Sequence, residues 1–211
     1  MQVEIWSDVI CPWCYIGKRR FEMALAGFPQ RKNVHVIWRS FELDANAPRQ
    51  REGTLEEMLA KKYRVSLQQA AAMNARVTGL AREVGLDYRL SIARPGNTFD
   101  AHRLLHFADS RQLGDRATER IMHAYFSESF PVGDRAALAR LAPEFGIPEA
   151  DALAMLESNE YSDAVRADEA RAAGFGIGGV PFFVIDEKVG ISGAQPVEVF
   201  AKALQDALGN S

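Results

Sequence analysis

The sequence predicts an α/β protein whose strands come from its first and last parts and whose middle part is helical. Strand patterns occur near residue 2 and again after residue 178, and a long series of helix patterns lies between them. Hydrophobic residues make up 47% of the 211 residues, which is enough for a substantial core. The simplest assembly is one α/β domain, built from residues 1–42 and 176–211, with a helical domain, residues 43–175, inserted into it.

The first part of the chain is expected to form a strand, a helix and a second strand. Residues 2–6 alternate polar and apolar side chains, which is typical of a strand. A helix then opens at Cys11-Pro12 and continues to about residue 26, because proline is tolerated in a first helical turn. The second strand covers about residues 34–41. This order places the cysteines between the first strand and the helix.

Helical spacing of leucine, alanine and methionine dominates residues 54–174. Thr54 and Glu57 have the spacing of a capping box, and Gly85 is a suitable helix stop. Further helices are predicted at about 66–85, 98–112, 115–129, 134–146, 149–158 and 161–173. The last part of the chain is expected to form strands at 180–185 and 189–192 and a helix at 196–208.

Composition excludes several classes of function. The formal net charge is −3, from 25 basic and 28 acidic side chains that are mixed along the chain, whereas nucleic-acid binders carry a basic surplus or stripe. No apolar run approaches the roughly 20 residues that a membrane span needs. The first residues have no secretory signal pattern, so we expect a cytoplasmic protein without nucleic-acid or membrane partners.

The chain has only two cysteines, Cys11 and Cys14, and they form a C-x-x-C pair. In a cytosolic chain this spacing indicates catalysis or metal binding rather than a disulfide scaffold. A thiolate is stabilised at a helix N-terminus, so Cys11 is expected to attack a disulfide and Cys14 to resolve the mixed disulfide. Between them Pro12 stiffens the turn, and a partly exposed Trp13 offers an apolar contact to a substrate.

Two alternatives must be weighed against a redox pair. The cysteines could be inert and buried, or they could bind zinc together with His102 and His106, which are four residues apart on a helix. The gap between the pairs is far longer than in a small zinc finger, so we expect no metal and place both histidines at the surface or between the domains.

Pro181 opens the apolar strand after two glycines. Proline cannot donate to a strand ladder, so this position fits the start of a strand at an edge or in a turn. A cis peptide bond would be the other explanation, and the spacing does not decide between them.

Three motifs together resemble the DsbA family, and most of all its FrnE-like branch. They are Ser7–Gly17, which contains the cysteines, Gly178–Phe183, and Asn97–His102. The resemblance implies a thioredoxin-like fold with a large all-helical insertion domain. It also implies that Pro181 is a cis-proline beside the cysteines and that Val180 offers backbone hydrogen bonds to a bound peptide.

Kappa-class glutathione transferases and hydroxychromene-carboxylate isomerases are similar in architecture, and they usually carry serine where this chain has Cys11. Dithiol exchange with protein or small-molecule disulfides is therefore favoured, with a glutathione-dependent transferase or isomerase and a peptide-binding module as alternatives. Asn97 and Asp100 either line the groove or help to hold glutathione, or they belong to a helix cap, for which Asn97 or Thr98 is a good N-cap. We expect no bound cofactor, glutathione as a possible co-substrate, and a monomer or a homodimer.

Overall fold

The computed structural model describes residues 1–209 of the chain. The described chain forms two compact units, one made of residues 1–43 and 166–209 and the other of residues 44–165. The strands belong to the first unit, and the second unit is helical in its regular structure. The predicted α/β class with a large helical part is confirmed.

The first unit is built on a mixed sheet in which β1 lies between β2 and β3. β1 pairs in parallel with β2 and antiparallel with β3, and β4 pairs antiparallel with β3. Ser7, the last residue of β1, is opposite Ser40. The strands are β1 (Gln2–Ser7), β2 (His35–Ser40), β3 (Phe182–Ile185) and β4 (Val189–Ser192).

Two helices, α1 (Pro12–Ala26) and α9 (Val197–Gly209), bury one face of this sheet. The core between these helices and the sheet contains an aromatic cluster of Phe21, Phe183 and Phe200, whose ring centroids are 4.7–5.9 Å apart. Edge-to-face and tilted arrangements such as these are the favoured geometries of aromatic pairs. The cluster therefore fixes α1, whose N-terminus carries the cysteines, against the central strands.

Helix α8 (Ser162–Gly174) contributes to the packing on the opposite face of the sheet. Trp6 of β1 and Val184 of β3 pack there with Ala172 of the helix. Successive residues of a strand point to opposite faces, so Trp6 and its neighbour Ile5 enter different clusters. The sheet is thus buried on both sides within this unit.

A buried ion network also binds α8 to the sheet. Glu4 is 1% exposed and accepts hydrogen bonds from Arg39 of β2 at 2.6 and 2.8 Å and from Arg171 of α8 at 2.7 and 3.0 Å. Asp168 accepts another from Arg39 at 2.9 Å, and its backbone carbonyl accepts the Trp6 indole N–H at 2.9 Å. Burial by itself would raise the pKa of Glu4, but the hydrogen bonds and charges of Arg171 and Arg39 lower it overall.

The second unit begins with two capped helices. The capping box predicted at Thr54 and Glu57 is confirmed, and Ser66 forms another with Gln69. None of the described helices is long and apolar enough to cross a membrane. The helices are α2 (Leu55–Tyr63), α3 (Leu67–Glu83), α4 (Phe99–Asp109), α5 (Gly114–Ser127), α6 (Arg135–Leu141) and α7 (Glu149–Glu157).

Two predicted elements differ from the structure, and proline explains both. The helix expected at 134–146 is α-helical only to Leu141 and continues as a 3₁₀ turn, Ala142–Phe145, that contains Pro143. Proline removes a helical hydrogen bond and clashes with the preceding turn. The strand expected at 180–185 begins only at Phe182, because Pro181 has no N–H to donate to a neighbouring strand.

Candidate active site

The cysteine pair lies at the start of α1, directly after β1. Cys11 is the N-cap residue with extended backbone angles, and Pro12 occupies the first helical turn. The Cys11 N–H donates to the Asp8 carbonyl at 3.0 Å, and the Cys14 N–H donates to the Cys11 carbonyl at 3.0 Å. These bonds form one tight turn, so both sulfurs are carried by the same rigid segment.

Asp8 holds this turn in place from inside the protein. Its side chain is fully buried, and one carboxylate oxygen accepts the Leu43 N–H at 2.8 Å, while the other accepts the Ile10 N–H at 3.4 Å. A carboxylate that accepts backbone N–H groups satisfies donors that a loop would otherwise bury unpaired. Asp8 thereby ties the segment after β2 to the loop that precedes the cysteines.

The segment before β3 packs against the first cysteine. The Cys11 thiol donates to the Val180 carbonyl oxygen at an Sγ–O distance of 3.6 Å. The Val180–Pro181 peptide bond is cis. Pro181 is buried, and its carbonyl accepts the Gly193 N–H at 2.8 Å, which anchors the segment to the residue after β4. The sequence motif at 178–183 is therefore brought to the cysteine pair, although it is remote along the chain.

The three side chains of the motif differ in accessibility. Cys11 is 4% exposed, Cys14 is 1% exposed and Trp13 is 42% exposed. The partial exposure predicted for Trp13 is confirmed. A large apolar ring that stays in solvent beside a thiol offers contact area to an incoming chain.

Cys14 is held in its neutral form. Burial, followed by the neighbouring Cys11, raises the pKa of the Cys14 thiol well above its ordinary value of 9.0. The Asp8 backbone N–H and the Ser7 hydroxyl act in the opposite direction and lower that pKa. Both cysteines are free thiols. A buried neutral thiol next to a second thiol at a helix N-terminus is an arrangement that can support sequential attack in disulfide exchange.

Asn97 and Asp100 lie in the second unit, where both have structural partners. Asn97 Oδ1 accepts the Phe99 N–H at 3.0 Å at the start of α4, and its amide donates to the Ala45 carbonyl at 3.2 Å. The N-cap residue of α4 is Thr98, whose side chain makes no capping hydrogen bond, so Asn97 forms a local turn just before the helix and is not its N-cap. The contact of Asn97 and Asp100 with a ligand stays a prediction.

Asp100 belongs to a buried arginine network. It accepts hydrogen bonds from Arg103 at 2.8 Å and from Arg135 at 2.6 and 3.2 Å. Arg103, 1% exposed, also donates to the carbonyls of Met155 and Ser158 at 2.9 and 2.6 Å, at the C-terminal end of α7. The last carbonyls of a helix lack partners within the helix, so this network caps α7.

His102 was expected at the surface or between the domains, and its burial excludes the surface position. His102 is 1% exposed because α4 is buried along all of residues 100–104. His106, one turn later, is partly buried, and its ring stacks on Tyr161 with centroids 6.5 Å apart. Within residues 1–209, no group of three or more histidine, cysteine or acidic side chains is arranged to hold a metal ion.

Ser7, Asp8 and Gly17 belong to the first motif, but the sequence pattern predicted no role for their side chains. Ser7 and Asp8 are both buried, in the residues that lead from β1 to the cysteines. A Cβ atom added to Gly17 would come 3.0 Å from Pro181 Cγ, so this glycine lets α1 approach the proline segment. Two features of the sequence could have indicated these roles. One is a glycine inside a helix pattern, and the other is a pair of polar residues at the end of a buried strand.

Comparison with known families identifies one family along nearly the whole chain. The model of the DSBA-like thioredoxin domain matches residues 2–205. The protein YwbO of Bacillus subtilis (strain 168) is 30% identical over 208 residues, which are 98% of this chain and 96% of YwbO.

Solved structures give a similar result. A protein described as a probable DsbA oxidoreductase from Streptomyces coelicolor superposes with a TM-score of 0.96 at 44% identity, over 100% of this chain and 91% of that one. The cytosolic disulfide reductase DsbM from Pseudomonas aeruginosa, solved with GSH, gives a TM-score of 0.66 at 16% identity, over 99% of each chain. The second match supports a shared fold alone.

Proposed function

Since this chain belongs to the DSBA-like thioredoxin domain family, we propose that it is a thiol-disulfide oxidoreductase whose redox centre is Cys11-Pro12-Trp13-Cys14. The observation that carries the proposal is the position of the two free thiols at the N-terminus of α1. Free N–H groups and the helix dipole favour negative charge there, and the thiolate is the form that attacks a disulfide.

Reduction of a substrate then takes two exchanges. The Cys11 thiolate attacks one sulfur of R–S–S–R′, which forms a Cys11–S–S–R bond and releases R′–S⁻. Cys14 next attacks the Cys11 sulfur, which forms the Cys11–Cys14 disulfide and releases R–S⁻. The substrate gains two electrons and the protein loses them. Two equivalents of a thiol return the pair to the dithiol, and the same steps in reverse oxidise a dithiol substrate.

The order of attack follows from exposure and from the second thiol's protonation. Cys11 is the more exposed residue of the pair, at 4% against 1%, and is the N-cap residue. The pKa of Cys14 is raised, first of all by burial. A neutral thiol is a poor nucleophile, so Cys14 is suited to wait until the mixed disulfide has formed. This assigns attack to Cys11 and resolution to Cys14.

We assign substrate contact to Trp13, Val180 and Pro181. Trp13 supplies exposed apolar area next to the thiols, and the cis-bonded Val180–Pro181 segment lies against Cys11. An extended substrate chain that crosses Cys11 would find backbone groups of Val180 there. Main-chain pairing gives affinity with little dependence on side chains, which suits proteins that act on varied disulfides.

Insulin reduction and refolding of scrambled ribonuclease test the proposal. Cys11→Ser should abolish both activities, and Cys14→Ser should accumulate a mixed disulfide that mass spectrometry detects at Cys11. The two variants control for each other, because each removes one buried sulfur of the same pair. Full activity of Cys11→Ser would overturn the proposal.

A glutathione-dependent transferase or isomerase is the second candidate. Its support is the fold shared with DsbM, which was solved with GSH. This function needs saturable glutathione binding but does not need Cys14, whereas dithiol exchange needs both cysteines. Calorimetry with glutathione, combined with a Cys14→Ser assay, separates the candidates. If dithiol exchange is the function, glutathione acts as a co-substrate that reduces the Cys11–Cys14 disulfide.

We also propose that this exchange takes place in the cytosol, where thiol pools keep such pairs largely reduced. The two cysteines of the chain both belong to the redox motif, so none is left for a structural disulfide. Cell fractionation with an antibody to the protein tests the location, and recovery outside the cytosolic fraction would contradict it.

A further inference from the structure

Ser7 lies at the end of the central strand, where its backbone is fixed. It is 5% exposed and pairs with Ser40 across the parallel strands β1 and β2. Its carbonyl accepts the Phe41 N–H at 3.2 Å. The next residues, beginning with Asp8, turn towards α1. Ser7 is therefore buried, with its backbone fixed by strand pairing, at the start of the loop that leads to the cysteines.

The Ser7 hydroxyl makes no hydrogen bond with any of residues 1–209, although its oxygen is buried. Burying a hydroxyl without a partner is unfavourable, and most buried polar atoms in folded proteins are paired. A buried hydroxyl that is unpaired while Cys14 is a neutral thiol is explained if its hydrogen bond forms in another state of the site.

Cys14 is the group to which the Ser7 hydroxyl can donate a hydrogen bond. The Ser7 hydroxyl and the Asp8 backbone N–H are the two groups that lower the pKa of Cys14, against the larger effect of burial. Both act on the sulfur as donors, because a donor stabilises the thiolate relative to the thiol. Cys14 is 1% exposed, so water has little access to replace them.

We propose that the Ser7 hydroxyl donates a hydrogen bond to the Cys14 sulfur when Cys14 becomes the attacking thiolate, together with the Asp8 N–H. This inference rests on the proposed function, because it gives Ser7 a role only in the resolving step. A neutral Cys14 thiol is a poor acceptor, whereas the thiolate is a charged acceptor with strong, short hydrogen bonds. The unpaired hydroxyl thus gains its partner at the moment of attack.

The chemistry of this step is an exchange within the protein. Cys14–S⁻ attacks the Cys11 sulfur of Cys11–S–S–R, a Cys11–Cys14 bond forms, the S–R bond breaks, and R–S⁻ leaves. The proton lost by Cys14 balances the proton that R–S⁻ gains. Ser7 keeps its own proton and acts only as a donor.

A two-phase thiol assay tests the inference. The reduced protein releases one thionitrobenzoate from Ellman's reagent when Cys11 attacks and a second when Cys14 resolves the adduct. Ser7→Ala should leave the first release unchanged and slow the second about tenfold at neutral pH, because a hydrogen bond to a charged group is lost. The pH midpoint of the second phase should rise by about one unit.

Two variants serve as controls. Ser40→Ala removes a hydroxyl of the same type, buried to 4% exposure on the neighbouring strand, and should leave both phases unchanged. Ser7→Thr keeps the hydroxyl and should retain the fast second phase. An equal slowing in Ser40→Ala, or a second phase in Ser7→Ala that matches the parent, would overturn the role of Ser7. Absence of any second release from the parent protein would instead overturn Cys14 as the resolving thiol.

A second measurement does not depend on turnover. In Cys11→Ala the chain has Cys14 as its only thiol. The ultraviolet absorbance of the thiolate then reports the titration of Cys14 alone. Adding Ser7→Ala should move this titration about one pH unit higher, and an unchanged midpoint would contradict the proposed hydrogen bond.

Discussion

Gly17 of α1 stands directly against Pro181, so closely that an added Cβ atom would lie 3.0 Å from Pro181 Cγ. The same atom would be 3.4 Å from the Phe183 ring. A helix interior normally disfavours glycine, by about 1 kcal/mol relative to alanine. Here the missing side chain lets the helix that carries Cys11 pack on the segment that carries Val180. The same helix N-terminus and the same segment also meet at the Cys11 thiol, which lies 3.6 Å from the Val180 carbonyl oxygen.

Gly17→Ala is expected to reduce activity without unfolding the protein. The gain in helix propensity, about 1 kcal/mol, offsets much of the cost of about 1–3 kcal/mol for an overpacked contact. The proline segment must shift, so insulin reduction should fall about tenfold. Urea unfolding measures the stability, and the insulin assay measures the rate.

Gly79→Ala in α3 is the matched control for that change. An atom added at Gly79 meets nothing within 4 Å, so the full helix propensity of alanine should appear as about 1 kcal/mol of extra stability with unchanged activity. If Gly17→Ala behaved in the same way, the close approach of α1 to Pro181 would have no functional role.

Glu4→Gln is expected to destabilise the protein by about 3 kcal/mol, because it removes the buried charge that Arg39 and Arg171 share. The folded pKa of Glu4 is below its ordinary value of 4.5. Its stabilising contribution is therefore complete above about pH 4.5 and is lost as the pH falls through the lowered pKa. Urea unfolding from pH 3 to 7 should show the two proteins converging in acid.

The control for Glu4 is an exposed pair on α9. Asp206→Asn breaks the ion pair with Lys202, whose two side chains are 54% and 74% exposed. Such pairs contribute little, so the stability should change by less than about 0.5 kcal/mol. A Glu4→Gln effect as small as this, or one that persists unchanged in acid, would contradict the buried network.

The sequence was sufficient for the architecture because periodicity and turn residues are local signals. Alternation in 2–6, the proline after Cys11 and the capping box at Thr54 each predicted an element that the structure contains. Pro181 could be linked to the cysteines only through the family resemblance. Nothing in the local pattern indicates which remote segment packs on Cys11.

The partners of buried polar side chains could not be predicted from the sequence, for a different reason. Glu4 follows the polar-apolar alternation of a half-exposed strand, yet it is buried because α8, more than 150 residues later, brings Arg171 over it. Ser7 likewise resembles an ordinary strand-end residue. Such roles depend on contacts between distant segments, which neither propensity nor spacing encodes.

Asp100→Asn tests whether this residue supports structure or a ligand. The structure predicts a loss of about 2 kcal/mol, because Arg103 and Arg135 lose a charged acceptor. Glutathione affinity and insulin reduction should stay unchanged under conditions where the variant is folded. Thermal unfolding and calorimetry measure the two effects. Unchanged stability with lost glutathione binding would instead favour the ligand role.

The raised pKa of Cys14 predicts that the reduced protein loses stability in alkaline solution. Burial keeps the folded thiol protonated above its ordinary pKa of 9.0, whereas the unfolded thiol ionises near that value. The folded state then binds more protons, so stability falls as the pH rises from about 9 towards the folded pKa.

Cys14→Ser does not titrate in this range and keeps Cys11, so it is the matched reference. Denaturant unfolding of both proteins under reducing conditions should show the parent losing stability relative to Cys14→Ser above about pH 9. Parallel curves would mean that burial does not hold the thiol neutral, and the assignment of Cys14 as the waiting, resolving thiol would lose its physical basis.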